Sequence, residues 1–220
     1  MTVPRDIWER LIEGAAVTNT AAGDAIYRAG EVPRPTAVLS GTVRVFLFTT
    51  AGRQVTIRFA GPGELIGLAG YLTSNETSEA HAVTDVRAAI LSVDHIHEMG
   101  RDEPEILWAL ARDAATSAVD ALKRMADATT EPLTVRVAQH LLDLATAAPD
   151  GSIVAPVSHQ VLAEATGTAR EVVTRTLRGF RTQGLVETRK GRIVITDPAR
   201  LTRVATRSAH QQGPLETDIS

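Results

Sequence analysis

Not one cysteine occurs in the 220 residues. That absence excludes disulfides, thiolate zinc sites and cysteine-held iron–sulfur clusters. Aromatic side chains are scarce at 4%, which weakens the case for a surface that stacks unpaired bases on rings. No stretch approaches the roughly 18 uninterrupted apolar residues that a membrane span needs. The start, MTVPRDIWER, has no basic segment followed by an apolar run. No secretory signal is therefore expected there, and the cytoplasm is the expected location. Positive charge is not in excess either. Lys and Arg number 23 against 26 Asp and Glu, a net of −3, which argues against indiscriminate binding to nucleic acid.

The charge that is present is unevenly spread. Residues 1–130 carry 12 basic and 17 acidic side chains, whereas residues 166–192 carry 7 basic and 2 acidic. The basic segment contains Thr166-Gly167-Thr168-Ala169-Arg170-Glu171-Val172-Val173-Thr174-Arg175, which reads as the turn and second helix of a helix-turn-helix. Thr168 is expected to cap the new helix, with Glu171 three residues on completing a capping box. Helical spacing puts Arg170, Glu171, Thr174, Arg175 and Arg178 on one face. Val173, Leu177 and Phe180 fall on the other, as anchors in a small core. A guanidinium fork matches the two acceptors on guanine's major-groove edge, and a carboxylate accepts from the cytosine amino group.

Arg and Glu on an exposed helix face are ordinarily no more than solvation. Three neighbours favour the functional reading here. Ser158 is a good N-cap for a short preceding helix, His159 to Ala165. Gly167 sits where a tight helix–helix turn needs freedom from the Cβ penalty. After the second helix, Gly184-Leu-Val-Glu-Thr-Arg-Lys-Gly-Arg-Ile-Val-Ile reads as two short strands around a tip of Arg189, Lys190 and Gly191. That completes a winged helix-turn-helix whose tip can touch phosphates.

From about Val17 to Val93 the pattern changes to short alternating runs broken by glycine. Residues 24–28, 37–40, 42–48, 54–59 and 86–93 are strand candidates, and the spacing predicts a small antiparallel barrel or jelly roll. A long helix follows, opened by Pro104. Its apolar stripe runs through Leu107, Leu110, Ala111, Ala114, Ala118, Ala121, Leu122 and Met125. The stripe can pack on its own barrel, or can form a parallel dimer seam, since a barrel alone cannot cover so long a helix. Thr129-Thr130-Glu131-Pro132 interrupts the helix and marks a hinge. A further helix is expected over 134–148.

These features in this order resemble the CRP/FNR family of bacterial transcription regulators. The likeness covers roughly residues 17–200. It is carried by Gly23-Asp24 with Gly30-Glu31, by Ser40-Gly41-Thr-Val-Arg-Val, by Pro62-Gly63-Glu64-Leu-Ile-Gly67 and by Arg136-Val-Ala-Gln-His-Leu-Leu-Asp-Leu. Arg170-Glu171-x-x-x-Arg175 matches the base-reading triplet of the cyclic-AMP-receptor branch. The resemblance implies an α+β architecture. Residues 1–100 would form a β jelly-roll sensor-like domain of cyclic-nucleotide-binding type, and residues 101–130 a dimerisation helix with hinge. Residues 131–205 would form the winged helix-turn-helix, followed by a tail expected to be disordered over 206–220. It also implies that Arg170 and Arg175 contact guanines and Glu171 a cytosine, in TGTGA-like half-sites of an inverted repeat. Thr174, Arg178, Arg189 and Lys190 would serve as backbone or auxiliary contacts. Leu107, Leu110, Ala114, Ala118, Ala121 and Met125 would form the seam of a homodimer. Double-stranded DNA and a second copy are the expected partners, with RNA polymerase and an unidentified small-molecule effector as candidates. Ala169 departs from the serine that commonly bonds phosphate in the family.

The effector pocket departs further. Cyclic-nucleotide binders of the family follow the Gly-Glu-x-x-Gly turn with a glutamate for the ribose and then an Arg-Ser or Arg-Thr pair for the phosphate. Here Leu68 stands at the glutamate position, and the region of the arginine offers only Glu76 and Glu79. Ala121 and Leu122 replace the threonine–serine pair that reaches adenine. The expectation is a regulator that does not need cyclic AMP, since a buried phosphate beside carboxylates is disfavoured. A haem could use His81, although a lone barrel histidine is more often structural. His95-x-His97-Glu98 could suggest a metal, but Ser92 can cap a helix that would point the two histidines apart. No cofactor, metal or catalytic group is expected. The competing reading is a small-molecule-binding or metal-dependent barrel enzyme tethered to a helix-turn-helix module.

Overall fold

The computed structural model describes residues 3–206 except 51, 53, 75, 76, 149 and 190, with side chains of 127–130 also outside the description. Lys190, Glu76 and residues 207–220 thus lie outside the described residues. The chain divides into two compact units, Met1–Met125 and Ala126–Ser220.

The first unit opens with α1 (Arg5–Ile12), followed by strands β1 (Ala16–Thr20), β2 (Ala25–Tyr27), β3 (Thr36–Ser40), β4 (Val43–Phe48), β5 (Gln54–Ala60) and β6 (Leu65–Ile66). A short helix α2 (Leu68–Leu72) precedes β7 (Ser78–Ala82) and β8 (Val86–Ile90), then α3 (Val93–Asp102) and the long α4 (Pro104–Thr130). The strands pair antiparallel into two sheets, ordered β1-β8-β3-β6 and β2-β7-β4-β5. This is the expected jelly roll, with helices packed on one side.

Two buried clusters hold it together. Val38, Val43, Val45, Ala60, Ala80 and Ala88 fill the space between the sheets. Leu11, Trp8, Leu91, Met99, Ile106 and Leu110 join α1, α3 and the start of α4 to the first sheet. Ser92 caps α3 as expected, its Oγ accepting from the His95 amide at 3.3 Å. His95 itself is engaged with the Arg10 carbonyl at 3.2 Å.

In the second unit α5 (Leu133–Asp143) is shorter than expected, because the chain turns at Leu144 into a small strand β9 (Thr146–Ala147). Then follow β10 (Ile153–Ala155), α6 (His159–Thr166), α7 (Arg170–Thr182), β11 (Val186–Arg189), β12 (Arg192–Ile195) and α8 (Pro198–Ala205). The wing strands β11 and β12 pair in register from Val186↔Ile195 to Arg189↔Arg192. They extend into a sheet ordered β11-β12-β10-β9. Leu141, Leu162, Leu177, Leu185, Ile193 and Leu201 are among its fully buried side chains.

Candidate nucleic-acid interface and ligand pocket

The reading helix is set by its turn. Ser158 caps α6 through its Oγ, which accepts from the Val161 amide at 3.2 Å. Gly167 ends α6 at φ +64°, in the left-handed region that suits glycine. The Thr168 amide then donates back to the Ala163 carbonyl at 2.9 Å, and Arg136 of α5 donates to the Thr166 carbonyl at 2.8 Å. One expectation fails here. Thr168 does not cap α7, whose N-cap is Ala169 with no side-chain hydrogen bond. The helix starts one residue later than the capping box required, and the Thr168 amide, which the box would offer to the Glu171 carboxylate, instead closes the end of α6. Glu171 instead lies in the first turn of α7, where a carboxylate is favoured by the helix dipole.

Val173, Leu177 and Phe180 are buried, so α7 has a fixed inner face. Arg170, Glu171, Arg175 and Arg178 are exposed on the outer one. None of these four side chains makes an ion pair among the described residues. Thr174 is half-buried: its hydroxyl donates to the Arg170 carbonyl at 2.9 Å, and His159 Nδ1 lies 3.0 Å from the Thr174 hydroxyl oxygen. On the wing, Arg189 is exposed and makes a loose pair with Glu187 at 3.3 Å. Sequence reasoning missed His159 and Arg192. Both line the cleft between α6, α7 and the wing, a neighbourhood that only folding creates.

The first unit holds a cavity of about 250 Å³ between β4, β5, β6, α2 and α4. It is mostly apolar, with Val45, Leu47, Ile57, Leu68 and Ala121 in its wall. Gly67 opens α2 at φ +77°, and an added Cβ would sit 2.5 Å from the Arg34 carbonyl oxygen. Only glycine fits the corner that brings Leu68 to the wall.

The structure corrects the sequence reading of the pocket's charges. A guanidinium does line it, but from β5: Arg58. Its Nη1 donates to Ser117 Oγ at 2.7 Å, its Nη2 to the Leu65 carbonyl, and Glu64 lies 3.9 Å away. Glu79 is not in the pocket. Strand alternation sends Ser78, Ala80 and Ala82 inward and Glu79 and His81 to the other face. There Glu79 meets the His81 ring at 2.9 Å and the Ala29 amide at 3.3 Å. The carboxylate in the wall is Asp113 of α4, 4% exposed. Tyr27 also lines the pocket, and burial pushes its phenol above the ordinary tyrosine value.

The expected seam on α4 also separates. Leu110 is buried in its own unit's core at 4% exposure, and Ala114, Ala118 and Ala121 line the pocket. Leu110, Ala114 and Ala121 therefore turn to their own barrel, while Ala118 is exposed at the pocket's edge. Leu107 and Met125 are exposed, at 43% and 51%, as are Trp108, Val119 and Leu122, at 67%, 49% and 66%. Leu122 thus lies outside the pocket that it was expected to line.

Known proteins agree with this architecture. The Crp-like helix-turn-helix domain profile matches residues 135–204, and the cyclic nucleotide-binding domain profile matches residues 17–103. The transcriptional regulator SdrP of Thermus thermophilus is 30% identical over 184 residues, which cover 80% of this chain and 87% of the relative. The chain belongs to the CRP/FNR family of transcription regulators. A cAMP-activated global regulator of Mycobacterium tuberculosis is 27% identical over 190 residues, covering 83% of this chain and 85% of that one. A crystal structure of a CRP/FNR-family regulator from Thermus thermophilus superposes with a TM-score of 0.71 at 28% identity, covering 88% of this chain and all of its own. This member of the family is a DNA-binding transcription regulator. Among the described residues, no helix is long and apolar enough to cross a membrane.

Proposed function

We propose that this regulator acts as a homodimer on an inverted repeat with TGTGA-like half-sites, and that it needs no cyclic AMP to do so. The observation that carries the first part is the outer face of α7. The side chains of Arg170, Glu171 and Arg175 stand exposed and without partners among the described residues, on a helix whose other face is buried. Their desolvation is therefore compensated only when a ligand brings matching groups. Two bidentate Arg–guanine contacts and one Glu–cytosine contact supply that match. Thr174, Arg178, Arg189 and Lys190 act as backbone or auxiliary contacts, which set register rather than sequence.

A dimer places two such helices about 34 Å apart in successive major grooves. The exposed face of α4 supports the pairing. Trp108, Ala115, Val119 and Leu122 recur at spacings of seven, four and three, with Leu107 and Met125 flanking them. That is an apolar seam of the kind that helices bury together. Of the six residues expected in the seam, Leu107, Ala118 and Met125 are exposed and stay in it. Cytoplasmic action follows from the target.

Independence from cyclic AMP rests on the pocket. Leu68 and Ala121 offer neither a carboxylate nor a hydroxyl at the wall. Arg58 already gives its hydrogen bonds to Ser117 and the Leu65 carbonyl, and Asp113 adds a carboxylate in place of a phosphate partner. The M. tuberculosis relative is named for activation by cAMP.

The test is a cycle between protein and operator. Arg170→Ala should weaken binding to the TGTGA-type duplex by about 1–3 kcal/mol, and should make the protein indifferent to replacement of the guanine that Arg170 reads. Equal loss on a scrambled duplex would show that Arg170 contacts only backbone, and would remove this reading.

A further inference from the structure

His159 is the first residue of α6 and lines a cleft of about 390 Å³ in the second unit. The other charged and polar walls come from three places: Ser158 and Gln160 at the start of α6, Arg170 of α7, and Thr188, Arg189 and Arg192 of the wing. Three guanidinium groups share this concave surface, and among the described residues no carboxylate lines it. The acids on the wing side lie behind the arginines. Glu187 pairs with Arg189 at 3.3 Å, and the Asp150 carboxylate feels the fields of Arg192 and Arg189.

The hydrogen-bond network assigns the histidine's tautomer. The Thr174 hydroxyl donates to the Arg170 carbonyl at 2.9 Å, so its oxygen can only accept from His159 Nδ1, 3.0 Å away. The proton therefore sits on Nδ1 and leaves a lone pair on Nε2. That Nε2 is buried and has no hydrogen-bond partner among the described residues, so a phosphate reaches it only by displacing the side chains that cover it. A second proton on it needs an acceptor that the protein does not supply.

We propose that His159 is a proton-linked phosphate contact: a DNA phosphate entering this cleft draws a solvent proton onto Nε2, so that DNA binding tightens as the pH falls. The proposal rests on the DNA-binding reading given above. In the free protein, burial and then the Arg170 charge hold the imidazole below the usual histidine value. A phosphate reverses that balance, since it neutralises the arginines and accepts from the imidazolium. In the window between the lowered free value and the raised bound one, each bound subunit holds one proton more than a free subunit. Affinity then rises as pH falls through the window and is flat above and below it. Meanwhile Nδ1 keeps hold of Thr174, so the reading helix stays in place as the ring titrates.

The experiment measures duplex binding by fluorescence anisotropy from about pH 8 to about pH 6, around the ordinary histidine value, at constant salt. It uses the full chain and His159→Asn, whose amide can still donate to Thr174 but does not titrate. The unsubstituted protein should tighten by at most about tenfold per pH unit for each linked proton. It should do so on palindromic and scrambled duplexes alike, since phosphate contacts are blind to sequence. His159→Asn should stay flat. A flat unsubstituted protein, or a variant that keeps the full slope, overturns the proposal. If the palindrome is preferred at no pH, the base-reading assignment fails, while the slope on either duplex still decides the role of His159. Ring-proton NMR of the unsubstituted protein adds a check that needs no variant. His159 should titrate at higher pH with duplex bound, and an unchanged or lower midpoint would refute the proposal.

Discussion

The buried arginines of the first unit and the arginines of the reading helix in the second are used in opposite ways. In the first, Arg44 is 3% exposed, donates to Thr56 and Gln54 at 2.9 Å each, and lies 4.6 Å over the Phe46 ring. Arg58 ties β5 to α4 through Ser117, and Arg10 grips Glu103 with two bonds of 2.9 and 3.0 Å. In the second, Arg170, Arg175 and Arg178 project from a helix with a buried back and make no ion pair among the described residues. A guanidinium satisfied inside the fold fixes geometry and is unavailable to a ligand. One held in place by its helix but left unpaired is available to DNA. By this contrast the first unit is built to hold shape and the second to bind.

The largest effect that bears on this contrast comes from removing the platform while keeping the charges. Leu177→Ala, at a site 1% exposed, should destabilise the second unit by about 2–5 kcal/mol. Both tryptophans, Trp8 and Trp108, lie in the first unit. Far-UV circular dichroism should therefore show an earlier denaturant transition, while the tryptophan fluorescence transition stays in place. Equal shifts in both signals would mean that the units unfold as one, and the division would lose its energetic meaning.

Next in size, Arg175→Ala should cost about 1–3 kcal/mol on the specific duplex and far less on a scrambled one. Arg189→Ala should be smaller and of a different kind. Binding should weaken evenly across sequences, and the dependence of log affinity on log salt should become shallower by about one. If Arg189→Ala discriminated between sequences, the division between reading helix and positioning wing would need redrawing.

Much of this was legible in the sequence because it is local. Gly167, Ser158 and the apolar spacing of Val173, Leu177 and Phe180 specify the helix-turn-helix without help from distant residues. Strands β4, β5 and β8 announce themselves through β-branched and aromatic side chains. Strand β7 does not, since Ser78-Glu79-Ala80-His81-Ala82 has little intrinsic strand preference and is held by pairing with β2 and β4 on either side. Missing that strand also misplaced Glu79, whose side is decided by alternation. The pocket's own charges, Arg58 and Asp113, come from elements distant in sequence, so no local pattern could join them. On α4 the periodicity was plain, but which of two apolar faces meets the barrel depended on the packing of Ile106 and Leu110. Thr168 looked like a cap because capping signals are short, and here the backbone closing of α6 competed for the same residue.

The most direct test of the account is fluorescence anisotropy of the full chain with a palindromic TGTGA-type duplex and a scrambled control, at fixed salt, with and without cyclic AMP. The account predicts tight binding to the palindrome alone, unchanged by the nucleotide. Binding to the palindrome that requires cyclic AMP, or equal binding to both duplexes, would contradict it.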